Sequence, residues 1–502
     1  MQVLRTTTTT DDQAISELDR VFALQKAAFR QHPYPSAEER IELMERVPDM
    51  LRKNRQKILQ ALEQDFGGHS RQQGDLVEIL GMFDRTQYNV SKVKKWMKPV
   101  RKAGNPVTLG SSKVYLKYHP KGVIGNMVSW NFPFDIAIGP MLDQLAAGNR
   151  VIIKPSDLSP ASGKVLAEMI RETFDESWVA VVNGDLALAK YFPTLKWDHL
   201  TYTGSGFIGR KVMQAAAQNL VPVTLELGGK CPMVVDEASV TDETIAEIAG
   251  VKAVKRGQMC VTIDYCLVPA SKMEVFAEKM IQHYQRHFTE KNGAAHACGI
   301  ISDRHLQRLQ GLVEEAREKG AKVTQIGESL DGSHRHMPFH VVVNPDRDLQ
   351  LMQEEIFGPI MPIVPYHSLQ EAIDYINDGE KPLGLYLYSQ NADFIHRLTH
   401  QTQSGGVAVN IAALQAAQAS LPFGGIGESG MGAHHGEEAF KEFSNPRGYF
   451  IRGKGGTFSA ITPPYDNSTD HLIEEVAYAG MGKQLVFALK TLPRNLWARI
   501  FG

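Results

Sequence analysis

Between about residue 120 and residue 410, short runs rich in β-branched residues alternate with stretches of helical periodicity, and this alternation limits the fold more than any other feature of the chain. The runs are VIGNMVSW (123–130), VIIK (151–154), HLTYT (199–203), VTLEL (223–227) and CLVP (266–269). Between them lie helical patterns such as IAIGPMLDQLAA and ASGKVLAEMIRETF. Alternating strands and helices point to a parallel sheet covered on both faces, with helices as the crossovers. After residue 270 the pattern repeats, with helices over 273–287, 303–319 and 369–377 and strands over 360–364 and near 405–410. The spacing predicts an α/β protein of two doubly wound lobes, with a seam near residue 228 and a return near 411. A chain of 502 residues is long enough for more than one such core.

The first hundred residues read differently. Ala14, Leu18, Phe22 and Leu24 mark one helix, and Ser36 with Glu39 forms a capping box ahead of a second. Pro48 is expected to break or kink that second segment into two helices. A further helical stretch runs to about Trp96. At the other end, RGKGGTFSAITPPYDNSTD is loop-like, and QLVFALKTLPRNLWARIFG is basic and amphipathic. Lys490 and Pro493 interrupt its apolar run, so it reads as a helix docked on protein, with a peripheral membrane contact as the alternative.

Lys and Arg total 54 against 56 Asp and Glu, which leaves no basic excess for nucleic acid. No stretch approaches the roughly 20 apolar residues that span a bilayer, and the N-terminus lacks the apolar core of a secretory signal. Four cysteines with no CxxC spacing exclude a disulfide framework and a cysteine-based metal site. A reducing, cytoplasmic setting is the expectation.

Several residues are candidates for chemistry. Cys260, in RGQMCVTIDYC, lies beside glycine and polar residues where a thiol could react, although its local sequence alone favours an ordinary buried cysteine. Cys266 belongs to a strand-like core run, and Cys231 and Cys298 have no activating neighbour in sequence. Glu226 is an acid inside a short apolar strand before two glycines; burying it costs several kcal/mol, a cost accepted where a carboxylate serves as a base. Asn131, in SWNFPFD, offers a carboxamide at a strand terminus, suited to an oxyanion or simply to a turn. Gly204-x-Gly206-x-x-Gly209 follows one strand and opens a helix, the context of a phosphate-binding turn. Glu226 lies 17 residues past Gly209, so a ribose-binding acid is a competing role for it. Lys154 closes a buried strand ahead of Pro155, within reach of ribose or phosphate, or of solvent.

The ordered set PKGVIGNMVSWNFPF, AAGNRVIIKPSDLSP, TYTGSGFIG, LELGGKCP, GQMC, ISDRHLQRL, EEIFGP and LPFGGIGESGMGAHHG resembles the aldehyde dehydrogenase superfamily. The likeness runs from about residue 15 to about 465, and is greatest to the dimeric class-3 branch and its bacterial coniferyl aldehyde dehydrogenases. It implies a variant Rossmann cofactor domain over 1–227, with an oligomerisation hairpin near 105–120. A catalytic domain follows over 228–411, then a return over 412–450 and a C-terminal extension over 451–502. It implies Cys260 as nucleophile, Glu226 as general base and Asn131 as oxyanion-hole amide. Lys154 and Asp157 would hold the adenosine ribose, Gly204 and Ser205 the pyrophosphate, and Glu355 and Phe357 the nicotinamide ribose and ring. The implied cofactor is NAD, with NADP as the alternative, and the implied assembly a homodimer.

The implied reaction is oxidation of a small aldehyde to its acid through a thiohemiacetal and a thioester. A CoA-acylating enzyme, which typically lacks the base, or a non-catalytic protein on the same scaffold fits less well, because Cys260, Glu226 and Asn131 are all present. Four departures touch the substrate or cofactor side. Asp157 stands where Glu is frequent, Met259 where Thr is common and Ile263 where Pro is frequent. The segment NIAALQAAQAS (410–420) lacks the Asp and His of class-3 relatives. An aromatic, coniferyl-type aldehyde is the expected substrate, and a medium- or long-chain aliphatic aldehyde the alternative.

Overall fold

The apolar runs become the inner strands of two sheets. The computed structural model describes residues 9–104, 109–288, 298–327, 335–455, 462–474 and 478. Its contacts divide the chain into a larger unit, Met1–Val93 with Pro120–Phe443, and a smaller one, Lys94–His119 with Ser444–Gly502.

In the larger unit, a six-stranded sheet has the order Gly430–Met431, Val223–Glu226, His199–Thr203, Val123–Met127, Arg150–Lys154, Val179–Val181. Every pairing is parallel except that of Gly430–Met431, which runs antiparallel along Val223–Glu226. Both faces are covered. Leu200, Tyr202 and Leu225 join a buried cluster with Val212 and Ala216 of helix Gly206–Ala217 and Leu18 and Val21 of helix Thr9–Gln31. Thr201, pointing the other way, accepts a hydrogen bond from Gln144 (3.1 Å) on helix Asp135–Ala146.

The second sheet has seven strands in the order Lys322–Ile326, Phe339–Val343, Ile360–Tyr366, Tyr265–Pro269, Pro232–Val235, Gly384–Tyr388, Gly406–Val409. It is parallel apart from the antiparallel edge strand Lys322–Ile326. Consecutive side chains enter different cores. Met233, Val235, Cys266 and Val268 pack with helices Asp242–Ala253 and Met273–His287, while Val234, Leu267, Leu385 and Leu387 pack with Asp303–Glu318, Leu369–Asn377 and Ala392–Gln401. Both sheets are thus doubly wound, as the alternation predicts, each with one antiparallel edge.

Two local expectations change. Helix Ala37–Phe66 passes through Pro48 without a break, from the Ser36–Glu39 capping box to Gly67 in the left-handed conformation (φ 67°). An interior proline costs about 3 kcal/mol. Val47, Met50 and Leu51, all at most 3% exposed, each return about 1.5–3 kcal/mol on burial, so packing wins. The strand expected over 123–130 ends at Met127, which leaves Asn131 in a turn rather than at a strand terminus.

The smaller unit holds a three-stranded sheet, Val100–Arg101, Lys113–Pro120, Ser444–Ile451, in that order. Val100 and Arg101 pair antiparallel with Leu116 and Tyr115. Tyr115 stacks on Tyr449 at 4.9 Å. Within the segment 105–120 singled out above, residues 105–108 lie outside the described residues, as does the basic amphipathic end, 484–502. No described helix is long and apolar enough to cross a membrane.

Candidate active site

Helix Asp242–Ala253 ends in a turn where Lys255 (φ 48°), Arg256 (φ 55°) and Gly257 (φ 73°) are all left-handed. That backbone costs about 1–2 kcal/mol for each non-glycine residue, so the surroundings must impose it. Gly257 is required here twice over: by its φ, and because a Cβ would come within 2.5 Å of the Gly358 carbonyl. The GQMC loop is thereby pressed onto the EEIFGP segment, and Cys260 follows before strand Tyr265–Pro269.

Of the four cysteines, all unpaired, Cys260 alone keeps partial exposure. Cys266 lies in the core, as its strand-like run predicts. The thiols of Cys231, Cys266 and Cys298 are pushed up to about 12 by burial. Cys260 is pushed up as well, by its surroundings first, then by the Glu355 carboxylate, the Cys231 thiol and the Glu226 carboxylate. The protein alone therefore favours the thiol over the thiolate. Around Cys260 the cluster is apolar: Met259, Val261 and Ile263 are buried in it, and Phe132, Ala413, Ala416 and Phe423 pack against it.

Glu226 is the last residue of its strand, 2% exposed, and neither carboxylate oxygen has a partner. Burial raises its pKa well above the ordinary carboxylate range, Glu442 adds to the rise, and Arg85 opposes it. Its backbone carbonyl accepts the Gly204 N–H (3.0 Å), tying the acid's strand to the glycine turn.

Asn131 is buried; its Nδ2 donates to the Gln258 carbonyl (3.3 Å) and its Oδ1 accepts from Ser129 Oγ (2.5 Å). The amide N–H side thus faces the loop that carries Cys260.

The remaining candidates lie at strand and helix ends. Lys154 closes its strand, 3% exposed, with Nζ donating to the Pro155 carbonyl (2.9 Å). Burial lowers its pKa, and the carboxylates of Asp157 and Asp185 resist that. Asp157 is exposed. Ser205 caps helix Gly206–Ala217 by accepting from the Ile208 N–H (3.5 Å), and Gly204 precedes it. Glu355 lies against Gly228; its carboxyl is raised to about 8 by burial and by Asp264, and Oε1 is buried without a partner. Phe357 has φ 52° and meets Trp130 edge-on at 5.3 Å. An ammonium with hydrogens to spare, an orphaned carboxylate oxygen and an open helix N-terminus fit the hydroxyls and pyrophosphate of a dinucleotide.

Other residues of the site escape sequence reasoning. Glu78, Lys255 and Gln258 form a buried network around Asn131. Arg85, which faces Glu226 electrostatically, is ion-paired with Asp143 and bonded to His434 Nδ1 (2.9 Å). Glu78 does carry a signal, an acid inside the apolar run DLVEIL, the same anomaly that singles out Glu226.

Comparison with known proteins identifies the family. Residues 5–448 match the model of the aldehyde dehydrogenase family. A "Probable coniferyl aldehyde dehydrogenase" of Pseudomonas aeruginosa is 39% identical over 92% of this chain and 96% of its own. The dog "Aldehyde dehydrogenase, dimeric NADP-preferring" is 36% identical over 87% of this chain and 95% of its own. Among solved structures, the substrate-bound state of Staphylococcus aureus AldH superposes with a TM-score of 0.85 at 31% identity, covering 91% of this chain and 98% of that one. The Mycobacterium tuberculosis aldehyde dehydrogenase complexed with NAD+ superposes with a TM-score of 0.78 at 25% identity, covering 87% of this chain and 90% of that one. The chain belongs to the aldehyde dehydrogenase family, and it is an NAD(P)-dependent oxidoreductase of that kind.

Proposed function

From that membership, we propose that the protein oxidises aromatic, coniferyl-type aldehydes to free carboxylic acids, with Cys260 as nucleophile, Asn131 as oxyanion donor and Glu226 as general base. The observation that carries the reading is Glu226: a buried carboxylate with both oxygens free and its field on Cys260. A buried carboxylate with both oxygens unpartnered suits a base that must take a proton from water. It also disfavours transfer of the acyl group to CoA, which needs no base for water.

Cys260 thiolate attacks the aldehyde carbonyl, and the Asn131 amide meets the charge that develops on oxygen. Lys154, Asp157, Gly204, Ser205, Glu355 and Phe357 would hold the NAD(P), which would supply the hydride acceptor and a positively charged ring. Glu226 takes a proton from the water that releases the acid from Cys260. The apolar cluster against which Cys260, Phe132, Phe423, Ala413 and Ala416 all pack supports an aromatic substrate, as do the names of the coniferyl aldehyde dehydrogenases that match the chain at 34–39% identity. The 410–420 segment joins this cluster: Gln415 Nε2 donates to Tyr386 OH (3.2 Å), which donates to the Val261 carbonyl (2.8 Å).

A homodimer in the cytoplasm completes the reading. Val100, Phe450 and Ile451 in the three-stranded sheet are 43–49% exposed, apolar surface at a sheet that a second copy would cover. The deciding experiment follows reduced cofactor by absorbance with phenylpropenals, benzaldehydes and aliphatic aldehydes, for wild type and Cys260→Ala, alongside product analysis with and without CoA. Turnover by wild type, none by the variant, free acid as product and highest kcat/KM on phenylpropenals are expected. Activity in Cys260→Ala overturns the nucleophile, and a preference for long aliphatic aldehydes overturns the substrate class.

A further inference from the structure

Lys255 is fully buried, two residues past the end of helix Asp242–Ala253, yet its ammonium is fully engaged. It is ion-paired with Glu78, itself 0% exposed, and donates to the main-chain carbonyl of Asn131 (2.6 Å). It also lies over the rings of Phe132 (4.3 Å) and Phe66 (5.0 Å). The other oxygen of Glu78 accepts the N–H groups of Phe134 (3.2 Å) and Asp135 (3.0 Å). One buried ion pair thus grips the 131–135 turn at both ends. Its carbonyl acceptor is residue 131; its N–H donors are 134 and 135.

The same lysine closes a second circuit. Its own carbonyl accepts from Gln258 Nε2 (2.9 Å), the Gln258 carbonyl accepts from Asn131 Nδ2 (3.3 Å), and its N–H donates to Gln73 Oε1 (2.9 Å). Main chain at 255, side chain at 258 and amide at 131 therefore form a ring that fixes where the Asn131 N–H points relative to the Cys260 loop. The left-handed backbone at Lys255 and Arg256 is what turns the lysine inward to make it.

We propose that Lys255, braced by Glu78, is a positioning residue for the oxyanion-stabilising amide of Asn131. This rests on the reading of Asn131 as the oxyanion donor. Lys255 touches no reacting atom. It fixes an amide that must meet charge appearing only in the transition state, so its loss lowers kcat more than it raises KM.

The test uses Lys255→Met, Glu78→Gln, the double variant and Asn131→Ala in the full-length enzyme. For each, kcat, KM, reduced-cofactor binding by fluorescence, the alkylation rate of Cys260 by iodoacetamide and the thermal midpoint are measured. Removing an oxyanion donor costs about 100- to 1,000-fold in kcat, and Lys255→Met is expected to lose roughly 10- to 100-fold with KM within about threefold. Its cofactor binding and alkylation rate should stay near wild type. The double variant leaves no unpaired buried charge, so it should recover the thermal midpoint and stay at least about tenfold down in kcat. It carries the test if the single variant does not fold. Wild-type kcat in Lys255→Met, recovery of kcat in the double variant, or parallel loss of kcat, cofactor binding and Cys260 alkylation each overturns the proposal. Full activity in Asn131→Ala overturns the oxyanion reading itself; impaired Asn131→Ala with normal Lys255→Met overturns only the role of Lys255.

Discussion

Glu226 is the residue whose surroundings say most about the reaction. A carboxyl raised by burial and by Glu442 is protonated at pH values where a free one, near 4.3, has ionised. A base works only when deprotonated, so the hydrolytic step should accelerate as pH rises, over a range displaced upward from the ordinary carboxylate range. A kcat profile already flat by pH 5.5 would sink this. Glu226→Gln should still release a first burst of reduced cofactor and then turn over slowly, roughly 100-fold or more below wild type; stopped-flow absorbance separates the two phases, and a normal steady state would remove Glu226 from the role. Asp157 carries a second expectation. Its exposed carboxylate lies within the field of Lys154, where it would repel a 2′-phosphate. Asp157→Ser should shift the NADP-to-NAD ratio of kcat/KM toward NADP by about tenfold, one pair of close charges being worth about 1 kcal/mol or more. Glu226 stood out in sequence because an acid in an apolar strand is locally odd, whereas Cys260, whose local sequence favoured an ordinary buried cysteine, stood out only through its place in the ordered set of motifs. Lys255 and Glu78 were not visible as a pair. They lie 177 residues apart, and only the folded turn, with its left-handed backbone, brings an ordinary surface-type lysine inside.

At the scale of elements, β-rich runs and helical stretches with clear flanks were legible. His199–Thr203 and the helices Met273–His287 and Leu369–Asn377 have the bounds their periodicity predicts. Pro232–Val235 and Gly384–Tyr388 gave no such signal, although they are neighbours inside the seven-stranded sheet. PMVV is too short to show a period, and GLYLY begins at a glycine that reads as a turn. Continuation of helix Ala37–Phe66 through Pro48 was illegible for another reason: local cost predicts a break, and only distant packing outweighs it. The brief pairing of Gly430–Met431 with Val223–Glu226 was equally hidden, and it bears on the site. Gly430 (φ 139°) pairs with Glu226, and a Cβ there would lie 2.1 Å from the Leu225 carbonyl. Gly430→Ala should therefore shift the base's strand, lowering stability by about 1–3 kcal/mol and kcat with it. Gly448→Ala, where a Cβ meets nothing within 4 Å, is the control. Thermal melts and kcat on both variants check this; an unaffected Gly430→Ala would mean the edge pairing does not hold Glu226.

Over the whole molecule, buried titratable groups of opposite kinds set how stability varies with pH. Burial lowers His69 to about 3 and His340 to about 4, and His199, His434 and His435 fall well below their ordinary value. Against them, burial raises Asp135 to about 7, Glu355 to about 8 and Glu226 well above its usual range. Between about pH 5 and 6 the unfolded chain has protonated these histidines while the folded one has not, and the folded chain keeps protons on the acids that the unfolded one has lost. The histidines outnumber the acids, so the unfolded state binds more protons there and stability rises with pH. Between about pH 7 and 8 the unfolded histidines (ordinary value about 6.5) have lost most of their protons, while Glu355, raised to about 8, still holds its own when folded. The balance reverses and stability falls, at about 1.4 kcal/mol per pH unit for each net proton. The thermal midpoint should therefore pass through a maximum near pH 6–7. Glu355→Gln, which removes a group that must surrender its proton, should flatten the alkaline side and leave the acid side unchanged. Scanning calorimetry from pH 5 to 8 on both proteins reads this directly: a midpoint that climbs steadily to pH 8, or an alkaline slope untouched by Glu355→Gln, would mean that these acids are not held protonated in the folded chain.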